Sequence, residues 1–359
     1  MDTMSEDQPF VIIGIDTHAD LHVAVVIDLL GRRLGDRSFP TTRAGYGQLI
    51  RWANTFGVID RIGIEGTGSW GRGLTLFCLS QGLAVLEVDR PSRKTRRNKG
   101  KTDLVDAEAA ARSVLAGTAK GLPKAGDGVV EMIRVLHVTR ESSVKARTQA
   151  INQLRALVVT APTKLREKLR GLTARQLTLQ VSGFDDRPVT DTLSATRMAM
   201  RELARRYQHL TTEIKRLESQ RDRIVNEVAP ELVARQGIGP HSAAALLISA
   251  GDNPDRLHSE AAFARLCGAA PLPINSGKTQ DRHRVNPGGD RQANRALHTI
   301  VLARLTCDPR TRVYINKRRP TQGKADLDTM RRLKRYVARE VFPLIQTSLA
   351  RLEQVPQAA

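Results

Sequence analysis

Hydrophobic and polar positions follow two rhythms along this chain, and the change of rhythm divides it. Up to about residue 127, short β-branched runs alternate with polar turns. Val11–Asp16 and Leu21–Asp28 are such runs, joined by the polar THAD stretch, and predict a β-hairpin. A third strand is expected near Arg33 to Phe39. A helix over Thr41–Phe56, a strand over Arg61–Glu65, a helix over Leu74–Gln81 and a strand over Leu83–Val88 follow. The Ala-rich stretch Thr102–Gly117 then reads as a helix, with Thr102 as N-cap and Gly117 as stop. Three antiparallel strands followed by alternating helix and strand is an α/β pattern.

Past the Gly/Pro linker Lys120–Gly128, helical periodicity takes over to about residue 229. Leu203, Tyr207, Leu210, Ile214, Leu217, Ile224 and Val228 recur at three- and four-residue spacing, and only Arg221 breaks the seam. Such a seam predicts coiled-coil association or a long core helix. Beyond it, Arg235–Gly251 sets a Gly-Ile-Gly-Pro turn before an Ala/Leu-rich helix, the shape of a helix-hairpin-helix turn. Backbone N–H groups of Gly237 and Gly239 there would favour phosphate. The expected organisation is an α/β domain (1–127), a helical coiled-coil and oligomerisation region (128–229) and a mostly helical third domain (230–359).

Composition narrows the partners. The 359 residues carry 57 Lys+Arg against 37 Asp+Glu, a net charge of +20, which points to a polyanion. The charge is clustered: Arg90–Lys101 holds seven basic residues and no acid, and Ala261–Glu340 holds 18 Lys/Arg against six Asp/Glu. Aromatics make up only 4%, so contact with a nucleic-acid backbone fits better than base stacking. The expected contacts are Arg93, Lys94, Arg96, Arg97, Lys99 and Lys101 in the first cluster, and Lys278, Arg282, Arg284, Arg291 and Arg295 in the second. Three widely spaced cysteines exclude a disulfide scaffold and a cysteine-based zinc site. With no long apolar run and no signal-peptide pattern, a cytoplasmic protein with no membrane partner is expected.

Four carboxylates stand at informative places. Asp16 and Glu65 each close a hydrophobic strand, and Asp103 and Asp106 sit three apart at the start of one helix, hence on one face. Strand ends are where α/β folds build sites. Four carboxylates gathered together repel unless cations neutralise them, and Mg²⁺ would do so while serving phosphodiester chemistry. Singly, each has an ordinary structural role: Asp16 could begin a turn, and Asp103 and Asp106 could favour the helix dipole. His18 reads as a polar turn residue in preference to a metal contact, and Thr67 and Ser69 read equally as groups that approach phosphate and as groups that do not. The GIDTHAD run followed by a strand also suggests the phosphate loop of the actin and sugar-kinase fold. That fold needs a second nucleotide-binding half, for which the helical middle leaves no room.

The stretch Phe263–Leu305 is the most distinctive. A proline-flanked loop delivers Ser276-Gly277-Lys278, followed by basic residues and by Gly288-Gly289-Asp290-Arg291 at the start of a helix. With the acids in their elements, the segments GTGSWG and KTDLVDAEAAA, and GIGP ahead of the serine loop, the chain resembles the DEDD-type transposases of the IS110 insertion-sequence family, the bridge-RNA-guided serine recombinases. The resemblance runs over essentially the whole length. It departs at NPGGD, where many relatives carry a basic residue before a single glycine.

The resemblance implies a ribonuclease-H-like, Holliday-junction-resolvase-like N-terminal domain, an order of elements that the strand pattern also matches. Asp16, Glu65, Asp103 and Asp106 would be catalytic and hold Mg²⁺, and Ser276 would be the nucleophile that forms a 5′-phosphoserine link. It further implies donor and target DNA and an element-encoded bridge RNA as partners, and a homo-oligomer that is a dimer, or a tetramer when assembled on DNA. Two other readings stay open: a metal-dependent junction nuclease without serine chemistry, and a non-catalytic nucleic-acid-binding protein. A prokaryotic, nucleoid-associated location follows from the first.

Overall fold

The computed structural model describes residues 8–88, 102–126, 128–273, 283–286, 288–318 and 327–353. The chain divides into two compact units, Met1–Gly126 and Asp127–Ala359.

The first unit is a five-stranded sheet covered on both faces. Its strands are β1 (Phe10–Thr17), β2 (Leu21–Asp28), β3 (Arg33–Pro40), β4 (Val58–Glu65) and β5 (Val85–Val88), in the spatial order β3-β2-β1-β4-β5. β1, β2 and β3 pair antiparallel, whereas β4 runs parallel to β1 and β5 parallel to β4. The helices are α1 (Arg43–Ala53), α2 (Arg72–Ser80) and α3 (Asp103–Leu115). Each element expected from the sequence forms, with ends shifted by a few residues; β4, for instance, starts three residues earlier than the RIGIE run.

Side-chain alternation along β1 explains the two layers. Val11, Ile13 and Ile15 join Leu49, Leu74 and Cys78 in one core, while Ile12 faces Ala107, Ala110, Ala111 and Val114 of α3 in another. Thr102 caps α3 as expected, its Oγ1 accepting from the Val105 N–H, and Gly117 follows the helix at φ +64°.

The second unit is helical. It comprises α4 (Val129–Thr160), α5 (Thr163–Leu169), α6 (Ala174–Ser182), α7 (Thr192–Val228), α8 (Pro230–Val233), α9 (Pro240–Ala250), α10 (Glu260–Leu266), α11 (Arg291–Cys307), α12 (Pro309–Arg318) and α13 (Leu327–Glu353). The short strands β6 (Pro271–Pro273) and β7 (His283–Val285) pair antiparallel.

α4 and α7 run antiparallel. Arg140 meets Glu218 and Ser143 meets Glu213, while Leu154 and Ala204 share a core farther along. The seam expected to associate as a coiled coil is thus packed within one chain: Ile214, Ile224 and Val228 are buried. The roots of this pair and the apolar residues of α9 belong to one core with α11 and α13, so the boundary near residue 229 falls inside a continuous hydrophobic cluster.

Candidate functional site

The acidic group is assembled by strand alternation. Ile12, Gly14 and Asp16 of β1 point to the face that α3 covers, as do Gly63 and Glu65 of β4. Gly14 and Gly63 stand opposite each other in the β1/β4 register. A Cβ on Gly14 would lie 2.1 Å from the Ala107 carbonyl oxygen, and one on Gly63 would lie 2.6 Å from Val114 Cγ2. The missing side chains, with the small residues of α3, let that helix lie directly on the sheet. Its first turn thereby carries Asp103 and Asp106 over the strand ends that carry Asp16 and Glu65.

Asp16, Glu65 and Asp106 are each 8% exposed, whereas the Asp103 side chain is half-exposed. The Asp16 carboxyl is raised above its ordinary range. Burial is the largest cause; His18 pulls the other way, and Glu65, Asp103 and Asp106 all add to the rise. Three carboxylates thus act on Asp16. A cation bound among them would relieve that repulsion.

His18 is the residue the sequence reading passed over. Its Nε2 lies 3.1 Å from Asp16 Oδ2 and 3.3 Å from Asp103 Oδ2, and the three together could hold a metal ion. The sequence signal was its spacing of two from Asp16, which is shared by any turn residue.

The loop after β4 is fixed by its own backbone. Gly66, at φ +71°, offers its carbonyl to the N–H groups of Ser69 and Gly71 and to Ser69 Oγ, and Thr17 Oγ1 donates to the Glu65 carbonyl at 2.9 Å. Thr67 is buried and Ser69 is turned to the loop, while Trp70 is 60% exposed.

In the second unit, Ser276, Lys278 and Arg282 lie outside the described residues, between β6 and β7, as does the Arg93–Lys101 run of the first unit with Arg93, Lys94, Arg96, Arg97, Lys99 and Lys101. Arg284 stands in β7 opposite Leu272. The residues that follow are held tightly. The Asp290 N–H bonds the Leu266 carbonyl, Asn294 Nδ2 bonds that of Cys267, and the Gly289 backbone lies against Gly268, itself at φ +64°. This contact accounts for the second glycine of NPGGD and not for the first: a Cβ on Gly289 would meet the Gly268 backbone at 2.4 Å, while one on Gly288 meets only Asn286 Oδ1 at 3.5 Å.

Asp290 caps α11 by accepting from Gln292 and Ala293, which leaves Arg291 and Arg295 exposed one turn apart. A cavity of about 290 Å³ adjoins β6, lined by Pro271 and by Arg331, Lys334, Arg335 and Tyr336 of α13. This basic stripe went unassigned from the sequence, although its spacing of three and four was there to be read.

The glycine turn divides its roles. Gly237, at φ +79°, packs on α11, where a Cβ would meet Arg304 Cγ at 2.8 Å, and Arg304 Nε bonds the Gln236 carbonyl while its fork holds Glu340. Gly239 is exposed, with open space where a Cβ would stand.

A family model described as a transposase, the DEDD-type model of IS110, matches residues 13–161. A second, described as "Transposase IS116/IS110/IS902 family", matches residues 230–316. The chain belongs to the IS110 family of transposases. The four carboxylates of this IS110-family chain fall inside the first match and Ser276 inside the second. A curated relative, "Insertion element IS110 uncharacterized 43.6 kDa protein" of Streptomyces coelicolor, is 29% identical over 119 residues. That match spans 33% of this chain and 29% of the relative's length. Among the described residues, no helix is long and apolar enough to cross a membrane.

Proposed function

We propose that this chain is the DNA-cutting and -rejoining enzyme of an insertion element, acting through Ser276 and a Mg²⁺-binding acidic site. The carrying observation is the convergence of Asp16, Glu65, Asp103 and Asp106, with the Asp16 carboxyl raised by burial and by the other three. An all-oxygen donor set of that charge suits Mg²⁺, with His18 as a neighbour that bridges two of the donors. When bound, the ion supplies charge neutralisation at a phosphodiester. The order of the five strands supports a ribonuclease-H-like reading of this unit.

Ser276 would form an Oγ–P bond as the P–O3′ bond breaks. The serine proton leaves, the 3′ oxygen ends as a hydroxyl, and the 5′-phosphate stays on the enzyme until rejoining reverses the step. The exposed Arg291 and Arg295, with Arg331 on α13, would give phosphate contacts, which suits a protein whose target is read by base pairing with a bridge RNA. The family resemblance supports that RNA, and an oligomer in which one protomer's serine completes another's acidic site. A cytoplasmic location on the nucleoid follows from the substrate.

The test is a covalent-adduct assay on denaturing gels, using the chain purified with its co-expressed RNA, Mg²⁺ and a DNA carrying the element's junction. Wild type is expected to give an adduct that both Ser276→Ala and Asp16→Ala abolish, a loss of at least about 10³-fold. Cleaved ends without adduct, undiminished in Ser276→Ala, would make it a junction nuclease. No cleavage by wild type, with DNA binding intact, would leave a binding protein.

A further inference from the structure

A second group of metal-competent side chains lies in the helical unit, far in sequence from the four carboxylates. His137 and Glu141 stand one turn apart on α4 and so share a face. His241, in the first turn of α9, stacks on His137 with ring centroids 5.0 Å apart. One donor atom from each of the three lies within 4.8 Å of the others. His137 is 5% exposed, and its Nδ1 is buried without a hydrogen-bond partner. A buried ring nitrogen left unmatched is rare enough to demand a reason.

The surroundings are permissive. Arg140 puts Nη1 on Glu141 at 2.5 Å, but its Nε and Nη2 already hold Glu218. Arg221, the residue that breaks the α7 seam, is buried at 2% and holds Asp222 with Nε and Nη2. Only its Nη1 reaches the cluster, 3.3 Å from His241 Nδ1. An incoming cation therefore displaces one N–H of each arginine and leaves both guanidiniums paired. His241 is exposed and Glu141 half-buried, which gives an ion and its water a way in.

We propose that His137, Glu141 and His241 form a site for a divalent transition metal of the zinc class, which clamps α4 to α9 just beyond the glycine turn. Two imidazoles and one carboxylate, with water as the fourth ligand, match Zn²⁺ or Co²⁺ and not the oxygen-seeking Mg²⁺. At ~2.0–2.1 Å from the ion, tetrahedral donors stand ~3.3 Å apart, so the three groups close inward by small side-chain rotations. The site is independent of the acidic group and of the cleavage chemistry proposed above.

The experiment titrates Co²⁺ into the full-length, tag-free chain after stripping with a chelator, and reads the visible absorption of tetrahedral cobalt. One equivalent is expected to develop the band. Excess Mg²⁺ should leave it in place, and Zn²⁺ should bleach it. Glu141→Gln and His241→Gln, both at solvent-reached positions, should weaken Co²⁺ binding at least tenfold while keeping the wild-type circular dichroism. An Asp16→Asn/Asp103→Asn variant should bind as wild type does. The proposal fails if the folded wild type gives no band, if the band survives unchanged in both Glu141→Gln and His241→Gln, or if it is lost in the Asp16→Asn/Asp103→Asn variant.

Discussion

The α/β unit and the helical unit place their candidate groups in opposite ways. In the first, each of the four carboxylates hangs on a regular element, two at strand ends and two in a helical first turn, and the packing of α3 on the sheet brings them together. In the second, Ser276 belongs to the stretch joining two three-residue strands, and it is the residues around it that are pinned, through Gly289, Asp290 and Asn294. A site on rigid elements is placed by packing, whereas a group on a connection is placed by what anchors the connection's ends. Glycine serves both, at Gly14 beneath α3 and at Gly289 behind the hairpin.

The sharpest way to break this contrast is to fill the glycines. Both tryptophans, Trp52 and Trp70, lie in the α/β unit, so their fluorescence reports that unit alone. Gly14→Ala drives a methyl into the Ala107 carbonyl and is expected to cost about 3 kcal/mol or more, seen as an early fluorescence transition in denaturant. Gly289→Ala should cost about 2–3 kcal/mol, read by far-ultraviolet circular dichroism with tryptophan fluorescence unchanged. Gly288→Ala, by contrast, is expected to shift stability by less than about 1 kcal/mol. A Gly14→Ala protein as stable as wild type would show that α3 does not depend on close approach.

Acid should separate the units next. His22 is fully buried with neither ring nitrogen partnered, stacked on Tyr46, and burial together with the charge of His18 holds it down at about 4. The unfolded chain binds that proton near pH 6.5, so the stability this group contributes is complete above about 6.5 and is lost as pH falls towards 4. The fluorescence transition should weaken by about 1–3 kcal/mol across that window. His22→Phe should remove this slope.

The smallest effect runs the other way. Because the Asp16 carboxyl is raised, its ionised form destabilises the metal-free fold at neutral pH, and the cost fades as pH falls through the folded value. Asp16→Asn is therefore expected to stabilise the metal-free chain by about 1 kcal/mol in thermal unfolding. Adding Mg²⁺ should raise the melting temperature of wild type and leave Asp16→Asn nearly unmoved. An Asp16→Asn chain less stable than wild type without metal would show that the carboxylate has a structural partner instead.

The same contrast explains what the sequence discloses. The hairpin, the parallel strands and the α3 helix are legible because period-two and period-3.6 patterns are strong there, and the acids could be placed as soon as their elements were. The seam Leu203 to Val228 was legible as a seam but not as to its occupant, since α4 offers the same apolar spacing as a second copy of α7 would. His18 and the His137–Glu141–His241 group escape for a common reason: each depends on residues meeting across a turn or between helices, and a single imidazole carries no periodic signal. The α13 basic stripe is hard to see because Ala261–Glu340 is basic throughout, so its spacing does not stand out from the charge around it.

One consequence concerns how copies of such an element lose function. Gly14 and Gly63 have no chemistry, yet the four acids meet only because α3 rests on those two bare positions. A copy in which a side chain has entered at either one would still display Asp16, Glu65, Asp103 and Asp106 in its reading frame, with a methyl or more wedged between the helix that carries two of them and the strands that carry the others. If the acids form the catalytic site proposed above, an inventory of acids alone overcounts live elements, and the pair of glycines beneath the helix belongs in the same tally.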